Sequence, residues 1–351
     1  MNGWMTRRSR WAILAVLVLG ACTSGAPASQ SATSQPTGPA QGSGSQPTTT
    51  DATAFTVAFT GFGFSDAPMV QAIEDLNASG YEIETTEVAD PNLMIAGTAE
   101  GQFHFSSGDT AALLRAISEG AKLRIIGERV GDEWTLGTVA DITSCADMEG
   151  RTVAYHAVGS FNEVIVRAYI QENCPGTMPE EVIIEGSENR AAAMLAGRLD
   201  SSPLELSDAV NVIDKGGDGF RILTSFNETL PNLRPATLAV NTDFMAENPT
   251  TTKAFLRALI EVNRRIVDDP DYLKEIALEH APSVDEATLD EVVQQYVEFG
   301  LFDPNGGTTE ENLEYTIQFF TDAGSISAGL DLDQAADLSY LNDVLEEIGR
   351  R

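Results

Sequence analysis

The chain has few positive charges, few thiols and no long apolar run, and each shortage excludes something. Its 351 residues carry 21 Lys and Arg against 53 Asp and Glu, a formal net charge of −32. A field of that sign repels nucleic acid and anionic headgroups, which excludes DNA, RNA and bare anionic lipid as partners. Only four of the 21 cations are lysines: Lys122, Lys215, Lys253 and Lys274. The longest apolar stretch near the N-terminus, Trp11 to Leu19, has nine residues. That is too short to span a bilayer and fits the h-region of a signal peptide. No His-Glu-x-x-His, Gly-x-Ser-x-Gly or Cys-x-x-Cys is present. The common zinc-protease, serine-hydrolase and dithiol signatures are therefore missing.

What precedes and follows that apolar run is informative. Arg7, Arg8 and Arg10 form a basic n-region, and Leu19-Gly20-Ala21-Cys22 ends the run. This resembles the lipobox of bacterial lipoproteins. The resemblance implies cleavage after residue 21, a diacylglycerol on Cys22 and anchoring outside the cytoplasm. Loss of the three arginines would take the net charge from −32 to −35. Thr23 to Thr50 holds only Ser, Thr, Gly, Pro, Gln and Ala. Such a segment buries too little apolar area to offset its ordering entropy. It reads as a tether, part of 22–53, with a mean span of roughly 30 Å. About 300 residues remain from residue 54 onward, enough for two lobes with a sizeable core.

Strand and helix signals alternate through this part. Phe55–Thr60, Tyr81–Val88, Phe103–Ser106 and Leu123–Glu128 read as strands, with helices at Met69–Ala78, Pro91–Glu100 and Asp109–Glu119 between them. Trp134–Ala140 starts a second series: strands Arg151–His156, Val182–Glu185, Leu199–Leu204 and Phe220–Thr224, with helices Ser160–Glu172, Asn189–Ala196 and Ser207–Lys215. Pro235–Asn241 reads as one more strand, and five helices follow from Pro249 to Ile348. Alternation of this kind predicts right-handed crossovers and mainly parallel sheets covered on both faces. The expected division is 54–137 with 238–351 in one lobe and 138–237 in the other. Cys145 precedes a strand and Cys174 follows the next helix. A strand of about six residues and a helix of about thirteen have matching lengths of ~20 Å. The two thiols can therefore meet as a disulfide, the alternative being two separate buried thiols.

Several segments in this order resemble the type II periplasmic-binding-protein superfamily. The nearest branch is that of importers for nitrate, taurine, alkanesulfonates and thiamine-precursor pyrimidines. The segments are Gly101–Asp109, Ala116–Leu123, Asp147–Ala154, Gly159-Ser160-Phe161-Asn162, Met194–Asp200 and Asn241–Pro249. They extend over roughly Phe55 to Asp269. The resemblance implies a two-lobe α/β fold with a helical C-terminal tail. It also implies a monomeric solute receptor that feeds an ABC permease and its ATPase, with no catalysis and no cofactor. Two departures stand near the expected cleft: His104 occupies a usual Asp position, and Ser201–Glu205 replaces an apolar-Glu-Pro segment.

In open α/β sheets ligands sit at the carboxyl ends of strands. Four loops qualify. Gly61–Asp66 offers Phe62, Phe64, Ser65 and Asp66; it resembles half a dinucleotide fingerprint but lacks the third glycine. Ser106, Ser107 and Asp109 precede a helix, as do Gly159, Ser160 and Phe161. Such residues bind polar groups, but they also simply cap helices. Ser201–Glu205 adds Glu205. His156 stands beside them, with His104, Trp134 and Tyr155 nearby. None of the four loops holds Arg or Lys. Aromatic faces with carboxylates favour a nitrogen-rich planar solute, pyrimidine- or flavin-like, over sulfonate, taurine or nitrate. Two further readings stay open: a solute sensor coupled to no transporter, and a pyrimidine-precursor synthase-like enzyme.

Overall fold

The computed structural model describes residues 51–281 and 285–351. The expected signal peptide 1–21, the expected lipidation site Cys22 and most of the expected tether lie outside them. Residues 51–53, expected in the tether, are instead fixed to the folded part. The Asp51 carboxylate accepts from the amides of Thr250 and Thr251, and the Ala52 amide donates to Asn248 Oδ1 at 2.7 Å. An acid at the first turn of helix Pro249–Asp268 is the reason: it satisfies orphan donors at the positive end of the dipole.

Two five-stranded sheets organise the chain. The first uses β1 (Ala54–Phe59), β2 (Glu82–Glu87), β3 (Phe105–Asp109), β4 (Leu123–Val130) and, much later, β10 (Ala236–Asn241). The second uses β5 (Trp134–Val139), β6 (Thr152–Tyr155), β7 (Glu180–Ile183), β8 (Ser201–Glu205) and β9 (Phe220–Ser225). The spatial orders are β2-β1-β3-β10-β4 and β7-β6-β8-β5-β9.

The sheets are mixed, not mainly parallel. β1 pairs in parallel with β2 and β3, but β10 runs antiparallel to β3 and β4. In the second sheet β5 plays the same part, antiparallel to β8 and β9. Each of these two strands carries the chain in from the opposite half, so it enters its sheet from the other end. Because β5 belongs to the second sheet, the chain changes sheets at residues 131–133, not at 137/138. It returns between β9 and β10, before the expected 237/238.

Burial follows the pleat. In β1, Phe55, Val57 and Phe59 enter one core while Ala58 enters another on the opposite face. β10 is buried at every position, with Leu238 and Val240 on one face and Ala239 on the other. Sheets covered on both faces require this near-continuous apolar content. The second core joins the halves: Leu113 and Leu114 of the first, Val153 and Tyr155 of the second, and Leu313, Ile317 and Phe320 of the tail share it. The tail also meets the second half through Lys215–Asp285 at 2.7 Å. Among the described residues no helix is long and apolar enough to cross a membrane.

Cys145 and Cys174 are disulfide-bonded, with Cα atoms 5.9 Å apart. The bond ties the 3-10 turn Cys145–Met148 to the end of helix Phe161–Asn173. Closing this loop stabilises by about 3 kcal/mol through restriction of the unfolded chain. Reduction should therefore lower Tm by several degrees in calorimetry. An unchanged Tm after complete reduction would show that the loop is held as firmly without the bond.

Candidate functional site

The parallel strands deliver their carboxyl ends to one place. Thr60–Gly63 follows β1, Glu87 ends β2, Asp109 ends β3, His156 follows β6 and Glu205 ends β8; all line one cleft of about 500 Å³. This is where open α/β sheets bind ligands, because loops there face helix N-termini.

Six of the twelve residues expected at the site line it: Phe62, Asp66, Asp109, His156, Phe161 and Glu205. The other six do not. Phe64 turns inward with the 3-10 turn Phe64–Asp66 and rests on Tyr296 at 4.6 Å. Ser65 is buried and accepts from Arg129 Nη1 at 2.6 Å. Ser106 and Ser107 are buried within β3, which continues to Asp109, past the expected end. Ser160 Oγ donates to the Ala157 carbonyl at 2.7 Å and closes its own turn. Gly159 faces Arg115; a Cβ at its φ of 72° would lie 2.7 Å from the guanidinium. Of the residues placed nearby, Trp134 lines the cleft. His104 accepts from the Thr56 amide at 2.9 Å, and Tyr155 lies in the core.

Hydrogen bonds join the two halves across the mouth of the cleft. Asp109 Oδ2 accepts from the Phe161 amide at 2.7 Å, while its Oδ1 accepts from the Ala112 amide at 2.8 Å. One carboxylate thus caps a helix in each half. Arg115 donates to the Gly159 carbonyl at 3.2 and 3.3 Å. His156 Nδ1 accepts from the Gly186 amide at 3.1 Å, so Nε2 carries the proton and donates to the Ala89 carbonyl at 2.8 Å. Both ring nitrogens are used structurally; only the ring face is left to a ligand. Gly63 lets the β1 loop reach the other half, since a Cβ there would lie 3.1 Å from Glu205 Oε2.

Two arginines line the cleft that no loop motif predicted. Arg129 lies in β4 and bonds Ser65, with Asp66 at 3.1 Å and Glu133 at 3.6 Å. Arg190 lies inside helix Ser187–Leu195 and is fully buried. Its Nε donates to Ser202 Oγ and the Pro203 carbonyl, and Nη1 donates to the Ile184 carbonyl at 3.1 Å. The strand-end pattern points to loops, whereas these two come from regular elements. No local motif marks either one: Arg129 is an interior strand residue, and Arg190 stands four residues past Gly186, inside its helix.

Burial sets the electrostatics. It pushes the Glu205 carboxyl well above the usual range, and the nearby Glu133 and Asp208 push the same way. The protonated form of Glu205, which can both donate and accept, is thereby favoured. Burial also raises Asp109, opposed by the amides of Ala112 and Phe161, and raises Asp66, opposed by Arg129. Arg190 is lowered by burial to about 10 and stays charged at neutral pH. Aromatic surface comes from Phe62, tilted on Phe59 at 5.0 Å, and from Trp134 and Phe161, 6.4 Å apart.

Two mixed α/β halves with a strand-end cleft between them define the fold of the periplasmic binding proteins. The chain belongs to the NMT1/THI5-like family, whose model matches residues 76–272. Among solved structures it is similar to the periplasmic nitrate-binding protein NrtA from Synechocystis PCC 6803, with TM-score 0.69 and 11% identity over 85% of this chain and 89% of that one. It is also similar to the alkanesulfonate-binding protein SsuA from Xanthomonas axonopodis pv. citri bound to MOPS, with TM-score 0.64 and 12% identity over 82% and 99%. The desulfurization enzyme DSZB shares the fold, with TM-score 0.61 and 15% identity over 84% and 99%. The sequence matches no curated protein significantly.

Proposed function

We propose that this protein is the extracytoplasmic solute receptor of an ABC importer, held to the cell membrane by a lipid on Cys22. The observation that carries the reading is the cleft itself. It is large enough for a small organic solute, at about 500 Å³, and is lined from both halves. Solute touching both halves favours the closed form by its differential affinity, and the permease then receives that form. Phe62 from the first half and Trp134 and Phe161 from the second offer stacking faces, and Glu205, its carboxyl raised by burial, offers a donor and an acceptor when protonated. These suit a planar, nitrogen-bearing ring better than nitrate. Asp109, Asp66 and His156 shape the pocket while already bonded to the protein.

An enzymatic reading draws on the fold shared with DSZB. The synthase-like version needs a lysine at the site. All four lysines instead pair with acids outside the cleft: Lys122–Asp243, Lys215–Asp285, Lys253–Asp343 and Lys274–Asp290. The receptor reading is therefore preferred. Deletion of the gene should abolish uptake of one solute, and denaturing analysis of gently purified protein should release that solute. Unchanged uptake of every solute that the protein binds would favour a sensor coupled to no transporter.

A further inference from the structure

One end of the cleft holds a buried guanidinium that has no ion-pair partner and one unpartnered nitrogen among the described residues. Arg190 is fully buried, and its fork is fixed by three neutral oxygens: Ser202 Oγ and the Pro203 and Ile184 carbonyls. Nη2 is buried and has no partner among the described residues. Arg129, by contrast, has Asp66 and Glu133 within ion-pair distance, whereas no such pair involves Arg190 among the described residues. The acids facing Arg190 are Glu188, Glu205 and Asp208. Burial raises Glu205 well above the usual range and Asp208 to about 6; Asp208 keeps its charge at neutral pH, but neither acid comes within ion-pair distance of the guanidinium. A buried cation without a close partner is costly unless something supplied from outside neutralises it.

The surroundings favour an anion at this point. Gly186, Ser187, Glu188, Asn189 and Arg190 all line the cleft, so helix Ser187–Leu195 opens toward it. Its N-cap is Gly186, and no side chain caps it. Amides at a helix start and a guanidinium fork together match the oxygens of a carboxylate, sulfonate or phosphate. The Trp134 ring lies 5.9 Å from the guanidinium carbon, within reach of a ring attached to such a group. We propose that Arg190 and the first turn of helix Ser187–Leu195 form an anion subsite, so that the solute is a planar ring bearing an anionic group. This rests on the reading of the cleft as a solute site and narrows it.

The test needs no knowledge of the solute. The sequence has three tryptophans, Trp4, Trp11 and Trp134. Cleavage after residue 21 leaves Trp134 as the single tryptophan reporter, and in unprocessed protein Trp4→Phe with Trp11→Phe leaves the same one. Iodide is the probe, with neutral acrylamide as the reference quencher. A net charge of −32 repels iodide in general, so a bound fraction stands out. The expected result is a saturable iodide component that acrylamide does not show, lost in Arg190→Met and kept in Arg190→Lys. Acetate, methanesulfonate and inorganic phosphate, added in turn, should displace it in an order that tells carboxylate, sulfonate and phosphate apart. A linear iodide response no steeper than that of acrylamide overturns the proposal, even if the variants fail to fold. So does an identical response in folded Arg190→Met. Uptake and solute release, the readouts for the receptor reading, are independent of this one.

Discussion

Raising the pH from 5 to 8.5 should destabilise this protein substantially. The cause lies where the chain first changes sheets. Glu128, Asp132 and Glu133 are buried there, at 5%, 1% and 2% exposure. Burial raises all three carboxyls, Glu128 from 4.5 to about 8. Glu128 faces Arg234 on the returning crossover, with Arg129 and Asp303 beside it; Asp132 faces Arg234 and the Trp134 amide; Glu133 faces Arg129, Tyr296, Ser65 and Asp66. An acid with a raised native pKa holds its proton in the folded state after the unfolded chain has lost it. Stability is then greatest below the unfolded pKa and falls as pH rises toward the native one. For Glu128 that window runs from 4.5 to about 8. Its full cost is at most about 5 kcal/mol, since water entry and a shift of Arg234 relieve part of it. Glu128→Gln removes the titrating group but keeps its size. The variant should match the parent near pH 5 and exceed its Tm at pH 8.5. A Tm that stays flat or rises between these values in the parent would refute the argument.

The first half of the fold was legible because its signals are local. β1, β2 and the helix between them follow one another, and their apolar periods match the faces they bury. The sheet pairings that misled are non-local. β3 runs on to Asp109 because β10, over a hundred residues later, pairs with it through Ala236. Ser106 and Ser107 are strand residues for that reason, although locally they resemble a loop. β5 reads as the start of a second series, yet the expected boundary at 137/138 divides it; pairing with β8 and β9 along its length places all of it in the second sheet. The C-terminal pattern reads as one helix over Gln334–Ile348; it breaks between Leu332–Ala335 and Ser339–Ile348, where Ala336 bridges to Ile125.

The site divided along similar lines. Phe62 and Phe64 look equivalent in sequence, but a single 3-10 turn sends Phe64 to Tyr296 and leaves Phe62 on the cleft. Glu205 was legible as a strand-end acid, yet the rise of its carboxyl comes first from burial and then from Glu133 and Asp208, which only folding brings near. Arg190 has no local signature. Helical position alone turns it toward Ser202, twelve residues on, and so toward the cleft.

Asp109→Ala should loosen closure more than any other single change at the mouth. The carboxylate holds the Ala112 amide in its own half and the Phe161 amide in the other, at 2.8 and 2.7 Å. Hydrogen bonds to a charged acceptor contribute about 1.5–3 kcal/mol each. Losing both costs about 3–6 kcal/mol, divided between the helix cap and the joint between halves. Asp109→Asn separates the two. Its side chain has one oxygen, so the other position presents an N–H to an amide N–H, and one of the two bonds is lost whichever way it turns. The Arg115–Gly159 and His156–Ala89 bonds remain and resist opening in both variants. In small-angle scattering Asp109→Ala should show a larger radius of gyration than the parent. Its affinity for the co-purified solute should fall at least about tenfold, equivalent to 1.4 kcal/mol. Asp109→Asn should lie between the two. Full retention of compactness and affinity in folded Asp109→Ala would mean that the Phe161 contact follows closure and does not hold it.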